Sequence, residues 1–309
     1  MGERQFRDLL DPDRQAKSLR AVALDKYLAV MSWLVPPALQ PECVDILLRE
    51  LADEARAVEA CVFDSVRTGD VLRFRRPWRF HDLDSLAIMF DEIFLKEEYF
   101  IPAGEDESDL AIVDLGANIG LTALYFKCKY PLSRVISFEP NPEIYKILEA
   151  NFANSRYPHI EARCAAVGGE AGSAGFWLSA QAPMAGRLES AEPPPAAFQR
   201  VETAVVSIRD ILEPLPRVDL LKVDIEGSEV EVIAAAGPLL RKCRFIFVEC
   251  HPSARVPSGN TLQPVLQELD RQGFKCHVAR SAWSERGHGF RPLRHAHQNY
   301  SACVYATRP

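Results

Sequence analysis

No part of the 309-residue sequence approaches the roughly 18 uninterrupted apolar residues of a membrane-spanning helix. The N-terminus, MGERQFRDLL, is charged from Glu3 onward and lacks the apolar core of a secretory signal. The sequence therefore predicts a cytoplasmic protein with no membrane partner. Its eight cysteines form no C-x-x-C pair and keep no regular spacing, which argues against both a zinc site and a disulfide framework. Excess positive charge is also missing. A net charge of -7 gives no overall pull toward nucleic-acid phosphates or anionic lipid, so no nucleic-acid partner is expected and small-molecule or peptide substrates are favoured.

What is present is an ordinary globular composition, 48% hydrophobic and 26% charged, with enough apolar residues for a sizeable core. Residues 14–59 read as two helices separated by Pro36, Pro37 and Pro41. Residues 61–80 carry Thr68-Gly69-Asp70 between short β-prone runs, as a hairpin would, and 83–96 return to helical spacing. These predict an N-terminal extension over 1–100, serving as a lid or for homodimerisation. From Leu110 on, buried strand and amphipathic helix alternate through AIVDLG, RVISFEP, IEARCAAVG, VDLLKVDIEG, FIFVEC and FKCHVA. That rhythm predicts an α/β domain over 101–309 with a mostly parallel sheet covered by helices on both faces. Two final β runs without a helix between them suggest an antiparallel edge hairpin. Residues 181–200, rich in Ala and Pro, read as a loop, and the IEARCAAVG segment is followed by an irregular stretch.

The first strand of this domain ends in Asp114-Leu115-Gly116-Ala117-Asn118-Ile119-Gly120 and runs straight into a helix, so small residues let the backbone approach a nucleotide-like ligand at the sheet's carboxyl edge. A dinucleotide fingerprint, G-x-G-x-x-G counted from Gly116, would need glycine where Asn118 and Leu121 stand. Nineteen residues after Gly120 the second strand ends at Glu139, whose carboxylate can accept hydrogen bonds from both hydroxyls of a ribose. Asn141, Pro142 and Glu143 read as N-cap, first-turn proline and first-turn acid of the next helix.

Taken in order, VDLGANIG, SFEPNPEIYKILEANFANS, AAVGGEAG, LLKVDIEGSEVEVIAAAGPLL and FVECH resemble the FkbM family of methyltransferases over about residues 92–251. The resemblance implies a seven-stranded class I (Rossmann-like) methyltransferase fold. It implies S-adenosylmethionine at the Gly116–Gly120 turn, with Asn118 inside it, its ribose on Glu139 and its adenine beside Ala165 and Ala166; Asp114 and Asp224, at two strand ends, are expected to join the cofactor site. Tyr99, in an acidic and aromatic approach to the first strand, is expected to close over the methionine end. The family also implies methylation of a hydroxyl on a natural-product or sugar scaffold.

Methyl transfer from a sulfonium is an in-line displacement that asks mainly for alignment and exclusion of water, and an alcohol acceptor must also lose a proton. Strand ends supply groups for this at Lys222, Asp224 and Glu226, and at Glu249 and His251; alternation predicts that each set faces one side. Asp224, Glu249 and His251 are the predicted catalytic residues. Their oxygen-rich set leaves a divalent metal as a disfavoured alternative. Ser228 and Glu231 match a capping box. N- or C-methylation, an NAD(P)-dependent oxidoreductase and a noncatalytic S-adenosylmethionine-binding protein are the rival readings.

Overall fold

The computed structural model describes residues 109–155, 157–179, 186–188, 198–251, 261–280 and 302–308, together with 61–62, 66–68, 71–73, 77–80, 89, 92–93 and 97–101. The helices expected over 14–59 lie outside the described residues, as does most of 83–96. The chain divides into two compact units, Met1–Phe100 with Ile147–Arg156, and Ile101–Lys146 with Tyr157–Pro309.

In the first unit β1 (Cys61–Val62) pairs antiparallel with β4 (Pro77–Trp78), and between them β2 (Val66–Thr68) pairs with β3 (Val71–Arg73). Thr68 stands opposite Val71, the pairing of a hairpin as the sequence suggests for this segment. Asn151 clamps the strand's exit: it accepts from the Arg79 N–H at 2.7 Å and donates to the Arg79 carbonyl at 2.9 Å. Its side chain is wholly buried, so both of its polar ends need these partners.

The second unit is built on seven strands: β5 (Ala111–Leu115), β6 (Arg134–Phe138), β7 (Ile160–Arg163), β12 (Val218–Val223), β13 (Cys243–Cys250), β14 (Lys275–Arg280) and β15 (Ala302–Thr307). Their order is β14-β15-β13-β12-β5-β6-β7. From β7 to β13 the neighbours are parallel, and every residue of β12 is buried. A strand covered on both faces needs a continuous apolar run rather than alternation, which is what VDLLKV supplies apart from its two charged residues. The crossovers are α1 (Leu121–Lys129), α2 (Pro142–Ser155), α3 (Ile208–Leu212), α4 (Glu229–Ala236) and α5 (Leu262–Arg271). Val113, Leu115, Leu221, Val223, Ile233 and Val248 sit in one core at no more than 1% exposure, each side chain contributing roughly 1.5–3 kcal/mol by burial. Asn141 caps α2 as predicted, accepting from the Glu143 N–H at 3.0 Å.

The last two strands pair antiparallel at the edge of the sheet, as the sequence suggests, with β15 against β13 and β14 outermost. Two expectations are corrected. The segment taken as irregular, and the 181–200 loop after it, contribute a second sheet of β8 (Ala166–Gly168), β9 (Gly172–Ser179), β10 (Arg187–Leu188) and β11 (Phe198–Ser207), in the order β10-β9-β11-β8. Strand β9, GSAGFWLS, has little β propensity of its own. Its strand state comes from an eight-residue antiparallel ladder with β11, from Gly172–Val205 to Ser179–Phe198. Lastly, Ser228 makes no side-chain cap bond, and Glu231 accepts instead from the Gly169 N–H at 2.8 Å. A tertiary donor displaces the local capping box.

Among the described residues no helix is long and apolar enough to cross a membrane. Cys243, Cys250 and Cys276 are free thiols.

Candidate active site

Strand β5 delivers Asp114 and Leu115 into the core, and the turn that follows is left-handed at Gly116 (φ 81°), Asn118 (φ 50°) and Gly120 (φ 89°). Asn tolerates this region better than most residues. At Gly116 no other residue fits, because a Cβ there would stand 1.8 Å from the Asp224 carbonyl oxygen. The turn is tied to its neighbours through the main chain: Gly116 and Ala117 N–H both donate to the Phe138 carbonyl, and Asp224 N–H donates to that of Leu115. Gly116→Ala is therefore expected to push the Asp224 loop off the turn, lowering stability by about 2–4 kcal/mol in thermal melts.

Behind the turn lies a row of polar residues set by register. Ser137, Asp114 and Lys222 are adjacent across β6, β5 and β12. Lys222 is 2% exposed, stands 3.2 Å from Asp114 and 3.5 Å from Asp224, and donates to the carbonyls of Leu115 and Gly116. Burial disfavours its ammonium, but Asp114 and Asp224 outweigh that and hold its pKa above the ordinary value. Lys222 and Asp224 thus meet on one side, as alternation suggested, but as a mostly buried ion pair, and Glu226 lies past the end of the strand. Lys222 pins the glycine turn from below.

Glu139 stands directly beside the turn. One carboxylate oxygen accepts from the Asn118 N–H at 2.9 Å and the other from the Asn141 N–H at 2.9 Å. Burial, opposed by these two amides, pushes its pKa up to about 7. Ala165 and Ala166 are buried at the same sheet edge, just past β7, where Arg163 O accepts from both Glu139 N–H and Ala165 N–H. Tyr99 is a buried residue of the first unit.

The second half of the site gathers where β12 and β13 end. Extended backbone stops at Val223, and Glu226 is left-handed (φ 56°). That turn, rather than strand alternation, brings Glu226 within 3.8 Å of His251 Nε2. Glu249 lies 3.7 Å from the same nitrogen, so the predicted pairing of Glu249 with His251 on one side of β13 holds. A carboxylate that the sequence reading overlooked completes the set. Glu229 is fully buried at the start of α4, accepts from the Gly227 N–H, and lies 3.1 Å from His251 Nδ1. Its only sequence signal was an acid in a helix's first turn, a common feature. Burial works against the imidazolium, yet Glu226, Glu229 and Glu249 together hold the His251 pKa well above its ordinary value. Burial also pushes Glu226 up to about 7; His251 opposes the rise, and Asp224, Glu229 and Glu249 reinforce it.

Asp224, Glu249 and His251 each offer one ligand-type atom within 4.8 Å of the others. A ligating imidazole must be neutral, however, and here both ring nitrogens face carboxylates that favour the charged form. The donor set suits hydrogen-bonded ion pairs better than coordination.

A parallel sheet with a left-handed glycine turn after its first strand, an acid after its second and an antiparallel seventh strand inserted beside the fifth defines a class I methyltransferase. Residues 114–276 match the methyltransferase FkbM domain, and the chain belongs to that family. Methyltransferase 1 of Beauveria bassiana (strain ARSEF 2860) is 31% identical over 216 residues, covering 62% of this chain and 82% of the relative. Methyltransferase sdnD of Sordaria araneosa is 30% identical over 227 residues, covering 63% and 85%. The 31-O-demethyl-FK506 methyltransferase FkbM of Streptomyces tacrolimicus is 28% identical over 174 residues, covering 47% and 66%.

Proposed function

We propose that this methyltransferase uses S-adenosylmethionine and methylates a hydroxyl of a small molecule with a natural-product or sugar scaffold. The observation that carries the cofactor half is the Glu139 carboxylate, buried against the glycine turn with one main-chain amide on each oxygen. Each oxygen keeps a second lone pair, which suits the two hydroxyls of a ribose. The residues present therefore fit the nucleoside. Gly116, Asn118 and Gly120 would hold it along the turn with Asp114 and Lys222 beneath, and Ala165 and Ala166 offer the apolar side for its adenine. When bound, the cofactor supplies a methyl group on a sulfonium sulfur, an electrophile that needs no further activation.

The remaining work falls to the chain's own residues. Asp224 and Glu249, with His251 beside them, are partly exposed at the carboxyl edge of the sheet, where an acceptor enters. A carboxylate within hydrogen-bond reach of an acceptor hydroxyl takes its proton as the oxygen becomes nucleophilic. An alcohol acceptor is further supported by the Streptomyces relative, whose name denotes an O-demethyl substrate.

Calorimetric titration with S-adenosylmethionine, S-adenosylhomocysteine and NADH tests the cofactor assignment. Binding of both sulfur nucleosides without NADH binding is expected. Failure to bind either would end the reading.

A further inference from the structure

A carboxylate with no exposed surface costs several kcal/mol unless it is ionically paired and hydrogen-bonded. Glu229 meets both conditions. Its two oxygens accept from Gly227 N–H at 3.0 and 3.1 Å, it opens helix α4, and Oε1 lies 3.1 Å from His251 Nδ1. Burial disfavours its ionisation, but the histidine and the amide outweigh that and hold its pKa below the ordinary range. An ionised carboxylate only accepts, so Nδ1 must carry the proton that joins the pair.

The other edge of the ring is then fixed as well. Nε2 lies 3.7 Å from Glu249 Oε1 and 3.8 Å from Glu226 Oε1, beyond direct hydrogen bonding. An oxygen placed to one side of either line reaches both atoms at about 2.8 Å. Glu226 is the more open carboxylate, at 36% side-chain exposure against 16% for Glu249, and its backbone is held in the left-handed region that costs a residue of this kind about 1–3 kcal/mol. Strain of that size persists where the surrounding structure forces a group into place.

We propose that Glu229 is a positioning residue: by accepting a hydrogen bond from Nδ1–H it locks His251 so that Nε2–H is presented to the acceptor oxygen between Glu226 and Glu249, and the acceptor's proton passes to Glu226. This rests on the hydroxyl reading above. As the acceptor's oxygen–carbon bond forms and the carbon–sulfur bond breaks, the electron pair of that bond stays on sulfur. The hydroxyl proton moves to the Glu226 carboxylate and from there to water. A Glu226 pKa near 7 suits such an exchange at neutral pH. The titratable groups around His251 are Glu226, Glu229, Glu249 and Asp224, the last with an atom within 4.8 Å of the ring, and, next to His251 in the chain, the Cys250 thiol, which burial pushes up to about 12.

The test is long-range proton–nitrogen NMR of protein labelled with 15N-histidine, in which the His251 signals are those lost in His251→Gln. In the wild type both ring nitrogens should stay protonated through neutral pH. In Glu229→Gln the His251 pKa should fall by at least about one unit, a tenfold loss of proton affinity. In Glu226→Gln it should also fall, but with Nδ1 as the nitrogen that keeps its proton. Retained S-adenosylhomocysteine binding by calorimetry shows that each variant is folded; loss of that binding in the wild type would indict the cofactor reading alone. A neutral wild-type ring protonated at Nε2, or a His251 pKa unchanged in Glu229→Gln, overturns the proposal. If Glu229→Gln does not fold, Glu226→Gln decides by which nitrogen is protonated.

Discussion

Lys222→Met is expected to lower the melting temperature by on the order of 10 °C, the largest stability effect of any single substitution at this site. Methionine matches the aliphatic stem, so packing is nearly conserved and the loss is electrostatic. Asp114, wholly buried, would lose the cation 3.2 Å away, and the Leu115 and Gly116 carbonyls would lose a shared donor. Removing one partner of a buried ion pair typically costs about 3–5 kcal/mol. The double variant Lys222→Met, Asp114→Asn should recover part of that, since the stranded charge is gone. A thermal melt followed by circular dichroism reads both. A shift of only one or two degrees would mean that water reaches Asp114.

Glu139→Gln is expected to weaken S-adenosylmethionine binding by about 10- to 100-fold, the size of one or two hydrogen bonds to a charged acceptor. The wild type adds a pH dependence that the variant lacks. With a folded pKa of about 7, the carboxylate is half formed near neutrality, so cofactor affinity should rise between pH 6 and pH 8. Fold stability should move the opposite way. The folded pKa lies above the ordinary carboxylate value of about 4.5, so the unfolded chain releases its proton first, and stability falls as pH climbs from about 4.5 to about 7. The whole effect is on the order of 3 kcal/mol. Calorimetric affinities across pH, paired with denaturant melts, would show the two trends crossing in the wild type; in the variant the affinity trend is lost and the stability trend shrinks to the share that Glu226 contributes. A pH-independent wild-type affinity would remove Glu139 from the ribose.

Residues whose partners are close in sequence were legible in advance. The turn from Gly116 to Gly120 follows its strand directly, Glu139 ends the next strand, and the Asn141 cap reaches only two residues ahead. The rest depends on which strands become neighbours. Lys222 reads as a strand-end cation until register sets it beside Asp114. Glu231 fits a local cap until Gly169, 62 residues earlier, offers an amide. Glu229 gains its meaning only from His251, just past the end of β13. The β8–β11 sheet was missed for the same reason: β9 is held by β11, and its own glycines, serines and alanine favour no strand.

The place of β15 in the sheet has a consequence in time. On the ribosome, β13 with Glu249 and the adjoining His251 emerges ahead of its neighbour β15, so one of its flanks is closed only by a segment made after β14. Until then that flank is a bare ladder of amides and carbonyls, open to a parallel mispairing with β14 or to a neighbouring chain. Folding must hold β13 and β14 apart until the intervening strand arrives, so the flank of β13 that carries Glu249 is the last part of the sheet to close.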